Sequence, residues 1–508
     1  MTSVLTAEPT RDRAPTKHFD VLVVGAGLSG IAAGYYLSTM TPKKSYAILE
    51  GRDTIGGTWD LFRYPGVRSD SDMHTLGYSF RPWPSDQSIT DGPSILNYVR
   101  DTARVYKIDE KIRYQHRAIH ASWSSDEGLW TLDVAVGPER QIETFTCNFL
   151  FMCSGYYDYA EGYLPEWADR ARYRGTFVHP QHWPEHLDYA GKSVVIIGSG
   201  ATAVTLAPSM ADAASHVTML QRTPTYIIAR PAIDPISKWA REKLPAKLAG
   251  GFVRWKNVLL GMLFFNLSKR RPEMIKKLIA KGLRRHLGDD FDIATHFTPT
   301  YNPWDQRVCL VPDADLFKAI RSGKVSVVTD HIERFTETGL QLRSGKTLDA
   351  DIVVGATGLK IQLMGGMTVS VDGEPVDFGK RLNYKGMMYS GVPNLASAFG
   401  YTNASWTLKC ELTAKYVCRM INYMAKKRYV SATPQPRGKN IGELPALDFT
   451  SGYVQRAKDV LPKQGARKPW RLYQNYALDL ATLKYGKIAD GTMRFAKLKK
   501  KKRQKVTA

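Results

Sequence analysis

The sequence predicts an α/β chain of two parallel-sheet domains with a helical insert, on three observations. Phe19-Asp20-Val21-Leu22-Val23-Val24 runs into Gly25-Ala26-Gly27-Leu28-Ser29-Gly30 and then an Ala-rich stretch to Leu37. Ser193-Val194-Val195-Ile196-Ile197 runs into Gly198-Ser199-Gly200-Ala201-Thr202-Ala203 and an apolar-periodic stretch to Met210. Residues 233–297, rich in Lys, Arg, Leu and Trp and poor in strand-like runs, read as helices.

Each element has a physical reason. Uninterrupted β-branched runs suit parallel strands covered on both faces. The glycines at 25, 27 and 30, and at 198 and 200 with Thr202 beside them, permit a tight turn and close backbone approach. The helix start that follows offers its free N–H groups to a pyrophosphate. One such pattern is weak; two, each between a strand and a helix, define two Rossmann-like dinucleotide sites. Strands resume at Val325–Val328 and Asp351–Val354, so the second domain is interrupted by the insert. The expected division is a flexible N-terminus (1–17), a discontinuous first dinucleotide-binding domain (18–155 and 362–490), a second one (156–230 and 308–361), the helical insert (231–307) and a basic tail (491–508). The strand ends make the first the FAD-binding domain and the second the NADPH-binding domain.

Which dinucleotides bind follows from the strand ends. Glu50 closes Tyr46-Ala47-Ile48-Leu49, where an acid accepts hydrogen bonds from ribose hydroxyls and repels a 2′-phosphate, so FAD or NAD fits better than NADP. After Val217-Thr218-Met219-Leu220 stands Arg222, whose guanidinium can grip a 2′-phosphate, so the second site predicts NADPH. Electrons then pass from nicotinamide to flavin.

Composition narrows what receives them. The chain has 508 residues, 43% hydrophobic and 23% charged, an ordinary globular mix. Its longest apolar run, Val258–Phe265, is closely flanked by cations and too short for a bilayer span, and Met1–Lys17 lacks a signal-peptide core. The five cysteines (147, 153, 309, 410 and 418) are scattered with no C-x-x-C pair. A disulfide framework, a metal site and a dithiol reductase are therefore not expected, and reduced cytoplasmic thiols are. The remaining electron acceptors are oxygen or a carrier protein. The net charge is +23, and seven cations lie in the tail Lys497–Ala508. Without a nucleic-acid-binding motif, that excess predicts a solvated end or peripheral contact with an anionic membrane, and no nucleic-acid partner.

The segment Tyr173-Arg174-Gly175-Thr176-Phe177-Val178-His179-Pro180-Gln181-His182-Trp183-Pro184 resembles the F-x-G-x-x-x-H-x-x-x-W-P fingerprint of the Baeyer–Villiger monooxygenases, class B flavoproteins. It matches at Gly175, His179, Trp183 and Pro184, with Tyr173 in place of Phe. Gly56-Gly57-Thr58-Trp59, Arg63-Tyr64-Pro65-Gly66 through Asp70, and Ala356-Thr357-Gly358 extend the resemblance over nearly the whole chain. Residues 59–72 and 400–409 look like the mycobacterial, ethionamide-activating branch.

That resemblance implies an enzyme that reduces FAD with NADPH, adds O2 to form a C4a-peroxyflavin, and inserts one oxygen atom into hydrophobic ketones to give esters or lactones, with sulfoxidation as a side activity. Preferred sulfur or nitrogen oxygenation, and uncoupled NADPH oxidase behaviour, are the alternatives. It makes Arg307, in Gln306-Arg307-Val308, the catalytic arginine and Asp70 its acidic partner, Asp72 being the residue that could be confused with it. It adds Gly57, Thr58, Trp59, Asp70, Thr357 and Gly358 to the cofactor-binding set. Gln306 stands where many members carry a Lys, which predicts weaker NADPH selectivity. His179 reads as structural or conformational, Trp183 as packing, and Cys309 as a small buried hydrophobe. The apolar stretch Val253–Phe265 reads as core packing, with a lipid-facing patch or a route for ketones as the alternative.

Overall fold

The first strand is buried on both sides, and each side has its own partner. In the computed structural model, which describes residues 17–438, 441–447 and 449–498, β1 (Lys17–Val24) turns Val21 and Val23 toward the helix α1 (Leu28–Met40). Leu22 and Val24 face a second cluster around Trp123 and Trp130. β2 (Tyr46–Leu49), the short helices α2 (Thr58–Leu61) and α3 (Met73–Leu76), α4 (Gly92–Val105) and β3 (Ile112–Arg113) follow. A meander of β4 (His116–Ser124), β5 (Leu129–Val136) and β6 (Gln141–Met152) then returns to β1, which pairs with β2 and β6 in parallel.

β7 (Tyr157–Gly162) carries the chain across to a second sheet. That sheet contains β8 (Thr176–Val178), β9 (Ser193–Ile197) followed by α5 (Ala201–Met210), and β10 (His216–Gln221). β11 (Tyr226–Arg230) leads into the insert: α6 (Pro235–Lys243), α7 (Ala246–Arg270), α8 (Pro272–Leu287) and α9 (Ile293–Phe297). β12 (Val308–Pro312) lies parallel to β11, so the insert leaves and returns through neighbouring strands. After α10 (Asp315–Arg321) and β13 (Val325–Thr329), an antiparallel trio, β14 (Ile332–Phe335), β15 (Gly339–Leu342) and β16 (Thr347–Asp349), precedes β17 (Ile352–Gly355). The parallel order is β13-β10-β9-β17-β8. β18 (Leu359–Ile361) crosses back and pairs antiparallel with β7, so the two crossings brace each other. β19 (Thr368–Val371) and β20 (Glu374–Pro375) rejoin the first, nine-stranded sheet; after the hairpin β21 (Asn383–Tyr384) and β22 (Met388–Tyr389), β23 (Leu395–Ser397) docks on β6. α11 (Trp406–Lys427) packs on α1.

Two expectations need correction. The stretch assigned to a tail from 491 begins with a strand, Met493–Ala496, antiparallel to Ser431–Pro434. Met493 is buried and Phe495 stacks on Tyr429, and this alternation holds the end to the body. Residues 1–16 and 499–508, where the flexible N-terminus and most of the Lys-rich tail were expected, lie outside the described residues. Second, α7 is not core packing. Leu248–Arg270 is long and apolar enough to cross a membrane, alone in this among the described residues, yet only 22% of its most apolar stretch is buried. Its interrupting charges turn inward: Arg254 pairs with Glu411 at 2.8 Å and Lys256 with Asp234, which leaves the outer face apolar.

Candidate active site

The first glycine turn and the start of α5, directly after the second turn, open onto one cavity of about 650 Å³, within the usual range for a ligand site. At one end lie Gly25, Gly27 and Glu50; at the other lie Thr202 and Arg307. The wall between carries Thr58 and Trp59.

At the first turn Gly25 has φ +105°, and a Cβ there would sit 2.6 Å from the Cys153 carbonyl oxygen, so neither the conformation nor the space admits a side chain. α1 then starts at Leu28 with Gly27 as its cap and no side chain satisfying its first N–H groups. Glu50 is buried; one carboxylate oxygen accepts the Ala26 N–H at 2.7 Å and the other the Arg52 N–H at 3.0 Å. Burial pushes its pKa above the ordinary value, while those two N–H groups and Arg52 pull it back. A glycine turn, an uncapped helix start and a carboxylate on the cavity wall match the pyrophosphate and ribose of FAD. Gly57 also lines the cavity, and Tyr159 stands beside Thr58.

The second turn is built alike but opens more widely. Gly200 caps α5 without a side-chain bond, and a Cβ added there would meet nothing within 4 Å, so its backbone is free for a ligand. Gly198 N–H donates to Leu220 O at 2.8 Å, which sets the turn level with the end of β10. Arg222 follows that strand, exposed, with no ion pair among the described residues. The α5 start, Gly198, Gly200 and Arg222 therefore fit a second dinucleotide with a 2′-phosphate. Thr357 and Gly358 lie at the crossing: the Thr357 hydroxyl donates to Tyr163 O at 2.6 Å, and Tyr163 N–H donates to Gly358 O at 3.0 Å.

Arg307 is the last residue before β12, at the junction of three segments. Its Nη1 lies 3.1 Å from Asp70 Oδ2, its Nη2 donates to the Tyr156 hydroxyl at 3.2 Å, and its Nε donates to the Tyr453 hydroxyl at 3.4 Å. Burial alone would lower its pKa, but the phenols of Tyr156 and Tyr453 and the Asp70 carboxylate hold it well above its usual value. The cation is permanent. Asp70 and Asp72 separate cleanly: Asp72 is buried, caps α3 through the His74 N–H at 2.8 Å and pairs with Arg230.

The fingerprint segment carries β8 of the second sheet and packs against the crossing strand β7, and none of its residues lines the cavity. His179 Nδ1 accepts the Gln181 N–H at 3.1 Å and its ring packs on Gly162 so closely that a Cβ there would overlap it. Burial lowers its pKa. His182 Nε2 bonds Ala160 O at 2.9 Å, the Tyr173 hydroxyl donates to Ala350 O at 2.8 Å, Gly175 fits under Tyr173, and Trp183 packs against the second domain's core. Pro184 follows, exposed. Cys309 is buried, its thiol pushed up to about 12, so it carries no thiolate at neutral pH. All five cysteines are buried and unpaired.

Sequence reasoning missed the aromatic wall. Tyr156 stacks on Trp406 (5.1 Å between centroids), Phe399 leans on both, and Trp406 Nε1 donates to Ser29 Oγ at 2.8 Å. The available signal was position: Tyr156 follows the C-terminal end of β6, and such strand ends are where open α/β sheets bind ligands.

Comparison with known proteins gives a consistent picture. The pattern of the flavin-binding monooxygenase-like (FMO-like) family matches residues 18–365. The chain is 53% identical over 483 residues to the FAD-containing monooxygenase EthA of Mycobacterium tuberculosis, covering 95% of this chain and 98% of that one. It is 47% identical over 487 residues to the putative FAD-containing monooxygenase MymA of the same organism, covering 94% and 98%. An oxidised steroid monooxygenase solved with NADP superposes with a TM-score of 0.74 at 20% identity, covering 94% of this chain and all of that one.

Proposed function

Because the chain belongs to the flavin-binding monooxygenase-like family and is closely related to the mycobacterial EthA and MymA proteins, we propose that it oxygenates the sulfur of a hydrophobic thioether or thioamide. FAD and NADP(H) are its cofactors, and molecular oxygen and a hydrophobic organic compound are its substrates. The choice of sulfur rests on the relatives at 47–53% identity and on the stretches 59–72 and 400–409, which resemble the thioamide-activating branch. The observation that carries oxygenation is the single cavity reaching from Glu50 to Arg307, with no paired cysteines to take the electrons elsewhere.

The residues divide the work. FAD, when bound, supplies the two-electron relay and the activation of oxygen. The α1 start and Glu50 hold its pyrophosphate and ribose, while the α5 start and Arg222 hold NADPH. Arg307 supplies fixed positive charge and directed N–H donors where negative charge gathers on oxygen, and it needs no reorganisation because Asp70, Tyr156 and Tyr453 already orient it. Tyr156 and Trp406, with Phe399 packed on both, form an apolar wall of the cavity that limits water. His179 and His182 brace the crossing strand β7 against the second domain, where Gly175 and Trp183 pack, and so help set how the two sites face each other.

Ketone oxygenation to an ester or lactone is the second reading, favoured by the Arg307–Asp70 pair, since a fixed cation stabilises the oxyanion that carbonyl attack creates. A competition between an alkyl aryl thioether and 2-dodecanone, with NADPH limiting, decides between them. Sulfoxide in excess over ester is the expected result. Ester in excess transfers the conclusion to the second reading, and hydrogen peroxide equal to the NADPH consumed, with neither product, overturns both.

A further inference from the structure

The insert presents a surface that the flavin chemistry leaves unexplained. Leu248, Phe252, Trp255, Leu259 and Leu263 are all exposed, Leu248 to 64% and Leu259 to 57%. Their spacing of three and four residues places them in one stripe along α7. α7 packs between α6 and α8, which add exposed Ile236, Trp239, Met274 and Leu278. An apolar surface of this extent is uncommon on a free monomer.

Its surroundings are cationic. Residues 235–287 hold fourteen Lys and Arg against two acids. Eight of the cations are exposed and lack an acidic partner among the described residues: Lys238 and Lys243 on α6, Arg270 and Arg271 at the end of α7, and Lys277, Lys281, Arg284 and Arg285 on α8. The opposite face of α7 is fastened to the protein. Arg254 donates to Gly77 O at 2.6 Å and pairs with the buried Glu411, Val253 and Asn257 are buried, and Val258 packs on Tyr401 of the cavity wall. A helix pinned along one side by a buried ion pair cannot surround itself with lipid, but it can lie flat with its apolar stripe in the headgroup boundary.

We propose that the outer face of α6–α8 docks the enzyme on an anionic lipid bilayer, the apolar stripe inserting and the basic rim meeting lipid headgroups. A second copy of the chain is the poorer occupant, because a twofold contact through this face would set two basic rims against each other. The placement does not depend on which atom the enzyme oxygenates.

The test is vesicle flotation of the full-length, FAD-loaded protein. Binding is expected to phosphatidylcholine vesicles containing about a third phosphatidylglycerol, to weaken on going from low to high salt, and to be at least tenfold weaker with phosphatidylcholine alone. L259E/L263E is expected to bind the anionic vesicles at least tenfold less while keeping its FAD content and its NADPH oxidation rate; K277E/K281E is expected to do the same through charge. Because both variants keep the Lys-rich C-terminus, undiminished binding by L259E/L263E would overturn the assignment to this face. So would light scattering that shows a stable dimer dissolved by that substitution. L259C carrying a polarity-sensitive fluorophore, selective because the five native cysteines are buried, is expected to shift to the blue with anionic vesicles; an unchanged spectrum in a vesicle-bound sample would equally overturn it.

Discussion

Replacing Arg222 by Gln tests the cofactor assignment most directly. The residue stands just beyond the C-terminal end of β10, level with the second glycine turn, where Gly198 N–H bonds Leu220 O. It is exposed and makes no ion pair among the described residues, so its whole donor fork is available to a ligand. A charge-assisted hydrogen bond contributes about 1.5–3 kcal/mol when sheltered, and exposed ion pairs contribute about 0.2–1 kcal/mol. A two-pronged contact in partial solvent falls between, at roughly 1–2 kcal/mol, or about a five- to thirtyfold rise in KM for NADPH. Neutral Gln306 supplies no second cation to cushion the loss. KM for NADH, which lacks the 2′-phosphate, should stay within about twofold on the same reasoning. Steady-state oxidation of both nucleotides by wild type and R222Q checks this, and rising salt should erode the preference of the wild type while leaving R222Q nearly flat. A KM for NADPH changed by less than about twofold, or an equal rise for NADH, refutes the assignment.

Other consequences follow from the same geometry. Y156F and Y453F each remove one acceptor from Arg307, and each is expected to lower product formed per NADPH several-fold with FAD retention unchanged, measured as product against hydrogen peroxide. R254A strands the buried Glu411 carboxylate at a cost of about 3–5 kcal/mol, part of which E411Q in the R254A background should recover; protease resistance of the insert reports both. His179 is held below its ordinary pKa by burial. The unfolded chain therefore binds the extra proton first, and stability present above pH about 6.5 is lost as the pH falls. H179N keeps a capping acceptor and should flatten that loss in thermal unfolding between pH 7 and 5.5.

What could be read from the chain alone follows from how local each signal is. β1, α1 and Glu50 lie within one stretch of residues, and both faces of β1 are apolar because both are covered. Arg307 and Asp70 were named through resemblance rather than spacing; 237 positions separate them, and they meet at 3.1 Å only where the start of β12 and the loop before α3 come together in the fold. Tyr156, Tyr453 and Trp406 were not seen, since each is an ordinary aromatic in its own segment and acquires meaning only where three segments converge. The misreading of α7 has a different cause. Arg254 and Lys256 look like breaks in an apolar run, and nothing local reveals that Glu411 and Asp234 wait on the inner side to neutralise them. Met493 and Phe495, set among lysines, were hidden in the same way by their neighbours' charge.

The position of Arg307 ties the insert to the chemistry. Two residues before it, Asp305 pairs with Lys269 at the end of α7 at 2.8 Å, and the Asp305 carbonyl accepts the Thr450 N–H at 2.9 Å. Thr450 lies three residues before Tyr453, which receives the Arg307 Nε donor. The guanidinium is thus held between the returning end of the insert, the loop bearing Asp70 and the segment bearing Tyr453, each from a different part of the chain. A displacement of α7 that breaks the Lys269–Asp305 pair loosens the anchor of Arg307 without touching the cavity. K269A should therefore change product formed per NADPH while leaving FAD content and KM for NADPH as they were. An unchanged product yield would show that β12 alone fixes the arginine.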